Sequence, residues 1–259
     1  MEFRPCIDIH NGKVKQIVGN SLRDQGDFAK ENFVSKQDAA FYGKLYKSCG
    51  IQGGHIILLN SKESDYYEAS EKEALKALQA YPKGLQIGGG ITDENCTFFI
   101  EKGASKVIVT SYVFKDGHIN YENLEKITNK VGKENLVLDL SARLKNGNYY
   151  IVTDRWQKYT NEMISSKLLD NLSQYCSEFL VHAVDVEGKA NGIEENLVSI
   201  LGQWGKIPIT YAGGVKNFDD LKRIFELGNN KINVTIGSAL DLFGGNMEFS
   251  KVVEFCSSY

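Results

Sequence analysis

Ile207-Pro208-Ile209-Thr210-Tyr211-Ala212-Gly213-Gly214-Val215 opens the stretch that decides the fold, and Ile232-Asn233-Val234-Thr235-Ile236-Gly237-Ser238-Ala239-Leu240 closes it. Each is a brief apolar run ending in a glycine turn, which suits a buried parallel strand. Between them a polar, helically periodic segment runs from 218 to 227. The order is strand, turn, helix, strand, turn, short helix. Each turn offers backbone N–H groups ahead of a helix, where the helix dipole favours an anion. Two such turns on neighbouring strands form a cup for one phosphate. In an eightfold βα barrel that cup follows the seventh and eighth strands.

The same pattern occurs earlier. Leu85-Gln86-Ile87 leads into Gly88-Gly89-Gly90-Ile91, and Lys106-Val107-Ile108-Val109 leads into Thr110-Ser111. Gly89 and Gly213 stand 124 residues apart, Ser111 and Ser238 stand 127 apart. Asp8 and Asp139 each end an apolar run and stand 131 apart. Glycine after a strand is common in any α/β fold, but three paired features at a near-constant offset are not. An offset near half of the 259 residues implies two half-barrels of four βα units each, approximately residues 1–131 and 132–259. The expected architecture is therefore α/β, a single (βα)8 TIM barrel domain built of two similar halves. Each half supplies one strand-end aspartate and one phosphate cup.

Composition fits this. A length of 259 is typical of one such barrel. The net charge is −3 and no stripe of Lys or Arg is present, so no nucleic-acid partner is expected. No apolar run approaches a membrane span, and Met1-Glu2-Phe3-Arg4-Pro5 lacks a signal-peptide profile, so a cytoplasmic protein is expected. The five cysteines are scattered without a Cys-x-x-Cys spacing, as in a protein with reduced thiols. His10, His55, His118 and His182 have no ligand spacing, so no metal is expected. Three prolines argue against linkers, and no long exposed apolar patch stands out, so a monomer is expected.

In chain order the pattern predicts strands over 3–9, 55–59, 85–87, 106–109, 135–140, 179–184, 207–212 and 232–236. Helices are predicted over 35–48, 68–80, 94–102 (capped by Thr92 or Asp93), 121–130, 165–175, 197–204, 218–227 and 247–255. Two excursions interrupt the alternation. Asn11-Gly12 is a turn into an extended return over 14–18, followed by a polar loop over 19–30 containing Gly19, Asn20 and Gly26. That loop suits a closing lid or a merely solvated segment. Lys145-Asn146-Gly147-Asn148 reads as the turn of a hairpin over 143–152, with Arg155-Trp156 at its far end.

Asp8 and Asp139 are the leading chemical candidates. A charge at the end of an apolar strand is costly unless it is paired or used. Two carboxyls in unlike environments can divide into a general acid and a general base. The structural alternative is salt bridges to Lys13, Lys15 or Arg143. Trp156 offers a flat face to a heterocycle or packs on the rim. His182, beside Asp185 and Glu187, touches substrate or completes the rim.

Four segments then carry a resemblance: Cys6-Ile7-Asp8-Ile9-His10-Asn11-Gly12-Lys13-Val14, Ile87-Gly88-Gly89-Gly90-Ile91, Tyr211-Ala212-Gly213-Gly214-Val215, and Gly237-Ser238-Ala239-Leu240-Asp241-Leu242-Phe243-Gly244-Gly245. Together they resemble the phosphoribosylformimino-aminoimidazole-carboxamide ribotide isomerases of histidine biosynthesis. The likeness is to the fungal and plant-type branch, in which His182-Ala183-Val184-Asp185-Val186-Glu187-Gly188 also recurs. It runs from Cys6 to Gly245. It implies a βα barrel performing an Amadori rearrangement, aminoaldose to aminoketose, on a small-molecule bisphosphate, with no cofactor. It implies Asp8 as general base and Asp139 as general acid, with Trp156 stacking on substrate. Gly89, Gly90, Thr110 and Ser111 match one phosphate site. Gly213, Gly214, Gly237 and Ser238 match the other. Bacterial members carry an acidic residue at the end of strand two, where this chain has Leu58-Leu59-Asn60. They also carry Asp-Gly-Thr after strand six, which leaves the third active-site position open among His182, Asp185 and Glu187. His182 and Asp185 are taken here as substrate-binding.

Three rivals share parts of this pattern. The cyclase barrel of imidazole glycerol phosphate synthase has the same aspartates and cups, but His10-Asn11-Gly12-Lys13 and Trp156 favour the isomerase. A non-catalytic sugar-phosphate binder needs the cups but not both aspartates. A phosphoribosylanthranilate isomerase needs only one complete cup.

Overall fold

The computed structural model describes residues 1–18 and 21–258. Eight parallel strands form the barrel: β1 (Cys6–His10), β2 (Gly54–Leu58), β3 (Leu85–Gly88), β4 (Val107–Val109), β5 (Leu136–Asp139), β6 (Glu178–His182), β7 (Ile209–Ala212) and β8 (Ile232–Thr235). Each strand pairs with the next in chain order. Phe3 bridges Val234, with Arg4 N–H donating to Val234 O at 2.8 Å and Val234 N–H to Glu2 O at 3.0 Å. This join brings the first strand's leader against β8 and closes the ring. The helices α1 (Ala39–Ser48), α2 (Tyr67–Ala80), α3 (Cys96–Glu101), α4 (Tyr121–Val131), α5 (Ser166–Leu172), α6 (Glu195–Trp204), α7 (Phe218–Leu227) and α8 (Phe249–Ser257) alternate with the strands.

Strand residues alternate between two buried environments. Ile7, Ile9, Ile56, Leu58, Leu85 and Ile87 face the helices in one large apolar cluster. Ile108, Val137, Leu180 and Ala212 form a separate cluster with Ile57 inside the barrel. Burial on both faces explains why the strands read as continuous apolar runs. Beneath the inner cluster lies a polar plug. Glu178, 2% exposed, accepts from Gln86 at 2.9 Å and Thr210 at 3.1 Å, and pairs with Arg4 and Lys106. The mouth lies at the other end of the same strands, where Asp8, Asp139 and His182 stand.

Several boundaries differ from the expected ones for local reasons. α1 starts at Ala39, not 35, because the Asp38 carboxylate accepts from Phe41 N–H at 3.0 Å and caps the helix there. α3 starts at Cys96. Asp93 does not cap it, since that carboxylate takes the Tyr112 hydroxyl at 2.5 Å. After β1, Lys13–Ile17 and Glu31–Val34 add antiparallel strands to the sheet. After β5, Ala142–Lys145, Asn148–Thr153 and Lys158–Met163 form a separate three-stranded sheet, one strand more than the expected hairpin. Lys158–Met163 is mostly polar and partly exposed, so it carries no strand signal of its own. Trp156 therefore sits in the turn joining the second and third of these strands. Gly19 and Asn20 of the expected lid lie outside the described residues. The rest of that loop holds a 3-10 turn, Gln25–Asp27, and is tied to the other excursion by an Asp24–Arg155 ion pair at 2.6 Å.

Candidate active site

The C-terminal strand ends surround one large cavity of about 1220 Å³ and a smaller recess beside it. Asp8, His182 and Glu187 line both. Asp139, Trp156, Gly89, Gly90, Thr110 and Ser111 line the large cavity. Gly213, Gly214, Gly237 and Ser238 line the recess. Asp185 lines neither: Arg143 Nε donates to its Oδ1 at 3.0 Å and Leu144 N–H to its Oδ2 at 3.2 Å. Asp185, expected to bind substrate, is thus turned to Arg143 and the backbone of Leu144 in this structure. Its carboxylate fastens the strand after β5, and Glu187, two residues on, takes the inward place.

Asp8 is held by a residue that sequence reasoning missed. Gln16, on the strand returning from β1, donates from Nε2 to Asp8 Oδ2 at 3.0 Å and reaches Cys6 Sγ at 3.5 Å. Burial, then the neighbouring Glu187 charge, raises Asp8 from 3.8 to about 7, against the opposing pull of His182 and Gln16. Burial likewise raises Glu187, against the pull of His182, and its Oε2 is buried without a partner. Gln16 also packs on the recess, since a Cβ added at Gly237 would lie 2.2 Å from Gln16 Oε1. One side chain thus touches both the aspartate and the second cup.

Asp139, buried at the end of β5, is the centre of a hydrogen-bonded chain. Trp156 Nε1 donates to Ser141 Oγ at 3.0 Å, Ser141 Oγ donates to Asp139 Oδ1 at 3.1 Å, and His182 Nδ1 meets the same Oδ1 at 3.0 Å. The Trp156 and His182 rings lie 6.1 Å apart. Burial disfavours a charged His182, but Asp139, with Glu187 and Asp8, outweighs it and raises the imidazole to about 9. Asp154, Arg155 and Trp156 all have left-handed backbone, a costly run held by Arg143 Nη1 donating to Trp156 O at 2.9 Å. Ser141 had no motif that could have flagged it. Its role follows from lying two residues past Asp139.

The two glycine pairs repeat each other in conformation. Gly89 and Gly90 have φ of 98° and 67°, Gly213 and Gly214 have 126° and 76°. A Cβ at Gly89 would lie 2.0 Å from Leu58 O, and one at Gly214 would lie 2.0 Å from Gly192 O. Of the α-helices that follow, one begins later than expected, at Cys96 rather than 94, and the other begins at Phe218 as expected. Short 3-10 helices follow the other two cup strands, Ser111–Val113 just after β4 and Asp241–Phe243 beyond a turn after β8. Ser238 is steadied by Asn32, whose Nδ2 reaches Ser238 Oγ at 3.3 Å and Gly188 O at 3.1 Å. Asn60, just past the end of β2, is buried and bonds Asn11 and Ser70, so it ties loops together at the rim.

A sequence profile for the histidine biosynthesis protein family matches residues 2–247. The chain belongs to that family. Curated members include the 1-(5-phosphoribosyl)-5-((5-phosphoribosylamino)methylideneamino) imidazole-4-carboxamide isomerase of Medicago truncatula, named as chloroplastic. It is 52% identical over 98% of this chain and 81% of its own length. The isomerases of the same name from Saccharomyces cerevisiae and Neurospora crassa are 45% and 43% identical. They cover 95% and 94% of this chain, and 94% and 93% of their own lengths. The family match spans all eight barrel strands and both glycine turns. Among the described residues, no helix is long and apolar enough to cross a membrane.

Proposed function

We propose that the chain catalyses the Amadori rearrangement of N′-(5′-phosphoribosylformimino)-5-aminoimidazole-4-carboxamide ribonucleotide, an aminoaldose bisphosphate, to its aminoketose in histidine biosynthesis. The observation that carries this reading is the shared wall of Asp8, His182 and Glu187 between two glycine-lined cups. A ligand with a phosphate in each cup passes its sugar over that wall. The cup pairs Gly89–Gly90 with Thr110–Ser111, and Gly213–Gly214 with Gly237–Ser238, each anchor one phosphate. Anchoring both ends fixes the reacting carbon and removes much of the entropic cost of the step.

The chemistry needs one base and one acid. Ring opening places a proton on the ring oxygen while the amine lone pair forms a C1′=N bond. The Schiff base acidifies the C2′ proton, which Asp8 removes. The enolamine then becomes the ketone. With Asp8 at about 7, its ionised form is present at neutral pH yet still basic. The Asp139–His182 pair supplies the acid. Trp156 stacks on the imidazole-carboxamide. We further assign the chain as a monomeric, cytosolic enzyme, and residues 1–131 and 132–259 as its two half-barrels.

The test is incubation of the purified chain with the aminoaldose, without ammonia or a glutaminase. Conversion to the aminoketose supports the isomerase. Turnover only of the aminoketose, with ammonia, assigns the cyclase chemistry, and binding without turnover assigns a sensor.

A further inference from the structure

We propose that Thr235 and Glu187 bind the C3′ hydroxyl of the sugar being rearranged, and so select a substrate that carries it. This deepens the isomerase reading above and rests on it. Two atoms without partners point to it. Among the described residues, four buried side-chain polar atoms have no hydrogen bond: His10 Nδ1, Ser105 Oγ, Glu187 Oε2 and Thr235 Oγ1. His10 and Ser105 line neither the cavity nor the recess. Glu187 and Thr235 both line the recess, a space of about 40 Å³. A buried polar group without a partner is costly, so two in one small pocket call for a ligand that completes them.

The fold aims both groups into that space. Ile232 and Val234 face the helices, so Thr235, the next residue of β8, turns to the barrel interior. Its parallel partner on β7 is Ala212, a member of the inner cluster, and Ala212 lines the same recess. Thr235 is only 6% exposed. Glu187 enters from the loop after β6, where a Cβ added at Gly213 would lie 3.2 Å from its Oε2. Asn32 holds that loop against the second cup, since its Nδ2 reaches Gly188 O at 3.1 Å and Ser238 Oγ at 3.3 Å. Asp8 lines the recess too, and one amide group spans from it to the cup. Gln16 donates from Nε2 to Asp8 Oδ2 at 3.0 Å while its Oε1 packs on Gly237.

The occupant follows from the chemistry. Trp156 and the first cup line the large cavity, so the heterocycle and the phosphate on its own ribose belong there. The reacting sugar then runs from C2′, over Asp8, to its C5′ phosphate in the second cup. Between these points the aminoaldose has one free hydroxyl, at C3′, because O4′ closes the ring. That hydroxyl donates to Glu187 Oε2 and accepts from Thr235 Oγ1, so it satisfies both unpaired atoms at once. The C3′ oxygen makes and breaks no covalent bond in the rearrangement, so both contacts bind and select. A site built around a substrate hydroxyl rejects an analogue that lacks it, since its own polar groups are then left buried and unpaired.

The experiment is a cycle of kcat/KM for the full chain and Thr235→Val, each with the aminoaldose and with its 3′-deoxy analogue. The parent should favour the hydroxylated substrate by about 100-fold or more. Thr235→Val should lose about tenfold with the aminoaldose, mainly in KM, and less than about twofold with the 3′-deoxy analogue. Thr235→Ser, which keeps the hydroxyl, should retain most of the parental preference. Glu187→Met should show the same dependence on the C3′ hydroxyl, because its effect on Asp8 acts on both substrates and cancels in the ratio. The free Thr235→Val chain should melt at or above the parent's midpoint, since the hydroxyl it loses has no partner there. Equal losses with the two substrates overturn the assignment, and a lowered midpoint alongside them gives the hydroxyl to the fold instead. So does a parent that prefers the hydroxylated substrate by less than about tenfold. Should Thr235→Val fail to fold, the parental preference and the Glu187→Met cycle decide by the same criteria. A parent that converts neither compound defeats the isomerase reading itself, a different result from lost selectivity.

Discussion

Asp8 is basic because of what surrounds it. Its carboxylate is buried beside Glu187 and fixed by Gln16, and together these settings bring it to about 7. Removing the Glu187 charge favours the ionised form of Asp8, so Glu187→Gln should move the acid limb of kcat/KM below about 7; an unmoved limb would separate the two carboxyls. Asp8→Asn should abolish turnover without harming the fold. The sign of its stability effect follows from linkage. Native Asp8 holds its proton up to about 7 while the unfolded group releases it near 3.8, so stability falls as pH rises between those values. An asparagine carries no such penalty, and the thermal midpoint of Asp8→Asn at pH 8 should equal or exceed the parent's. Asp8 and Asp139 were legible as charges ending apolar runs. Gln16 and Ser141 were not, because a neutral side chain gains meaning only from the partner the fold gives it. Asp185 and Glu187 could not be told apart in the sequence for a related reason. Which of two acids two residues apart turns inward depends on Arg143, which arrives from another strand.

The two glycine turns and the two β excursions do the shaping. Left-handed backbone at a residue with a Cβ costs roughly 1–2 kcal/mol before any clash. At Gly214 a Cβ would also meet Gly192 O at 2.0 Å. Gly214→Ala should therefore raise KM by more than about tenfold and lower the thermal midpoint, as read by steady-state kinetics and a melting curve. The turn carrying Trp156 depends on Arg143, which bonds its carbonyl and Asp185. Arg143→Ala should release the indole, weakening substrate binding several-fold and changing tryptophan fluorescence on ligand addition, with little change in kcat. A parental KM in that variant would show that the turn holds itself. Strand positions were readable because burial on both faces leaves an apolar run. The strand Lys158–Met163 was not, since its partner is another exposed strand and its own residues are mostly polar.

Closure of the ring makes one site out of residues from every part of the chain. At the floor, Arg4 from the segment before β1 reaches Glu178 on β6, a carboxylate 2% exposed. Arg4→Ala should cost about 3 kcal/mol in denaturant unfolding, near the lower end for breaking a buried pair, because Lys106 still neutralises Glu178. Eight alternations and a paired glycine offset made the barrel legible. The polar plug inside it was not, because its members are single polar residues in five different strands or leaders. At the top, the same closure brings β7 and β8 beside β1, so that the second cup touches Gln16 and, through it, Asp8. The most direct measurement of the whole account is a crystal structure of the chain with the aminoketose bisphosphate bound. One phosphate should lie on Gly89–Gly90 and Thr110–Ser111, the other on Gly213–Gly214 and Gly237–Ser238, with the sugar carbon C2′ within hydrogen-bond reach of Asp8. A ligand held by a single phosphate, or one whose sugar lies away from Asp8 and His182, would contradict it.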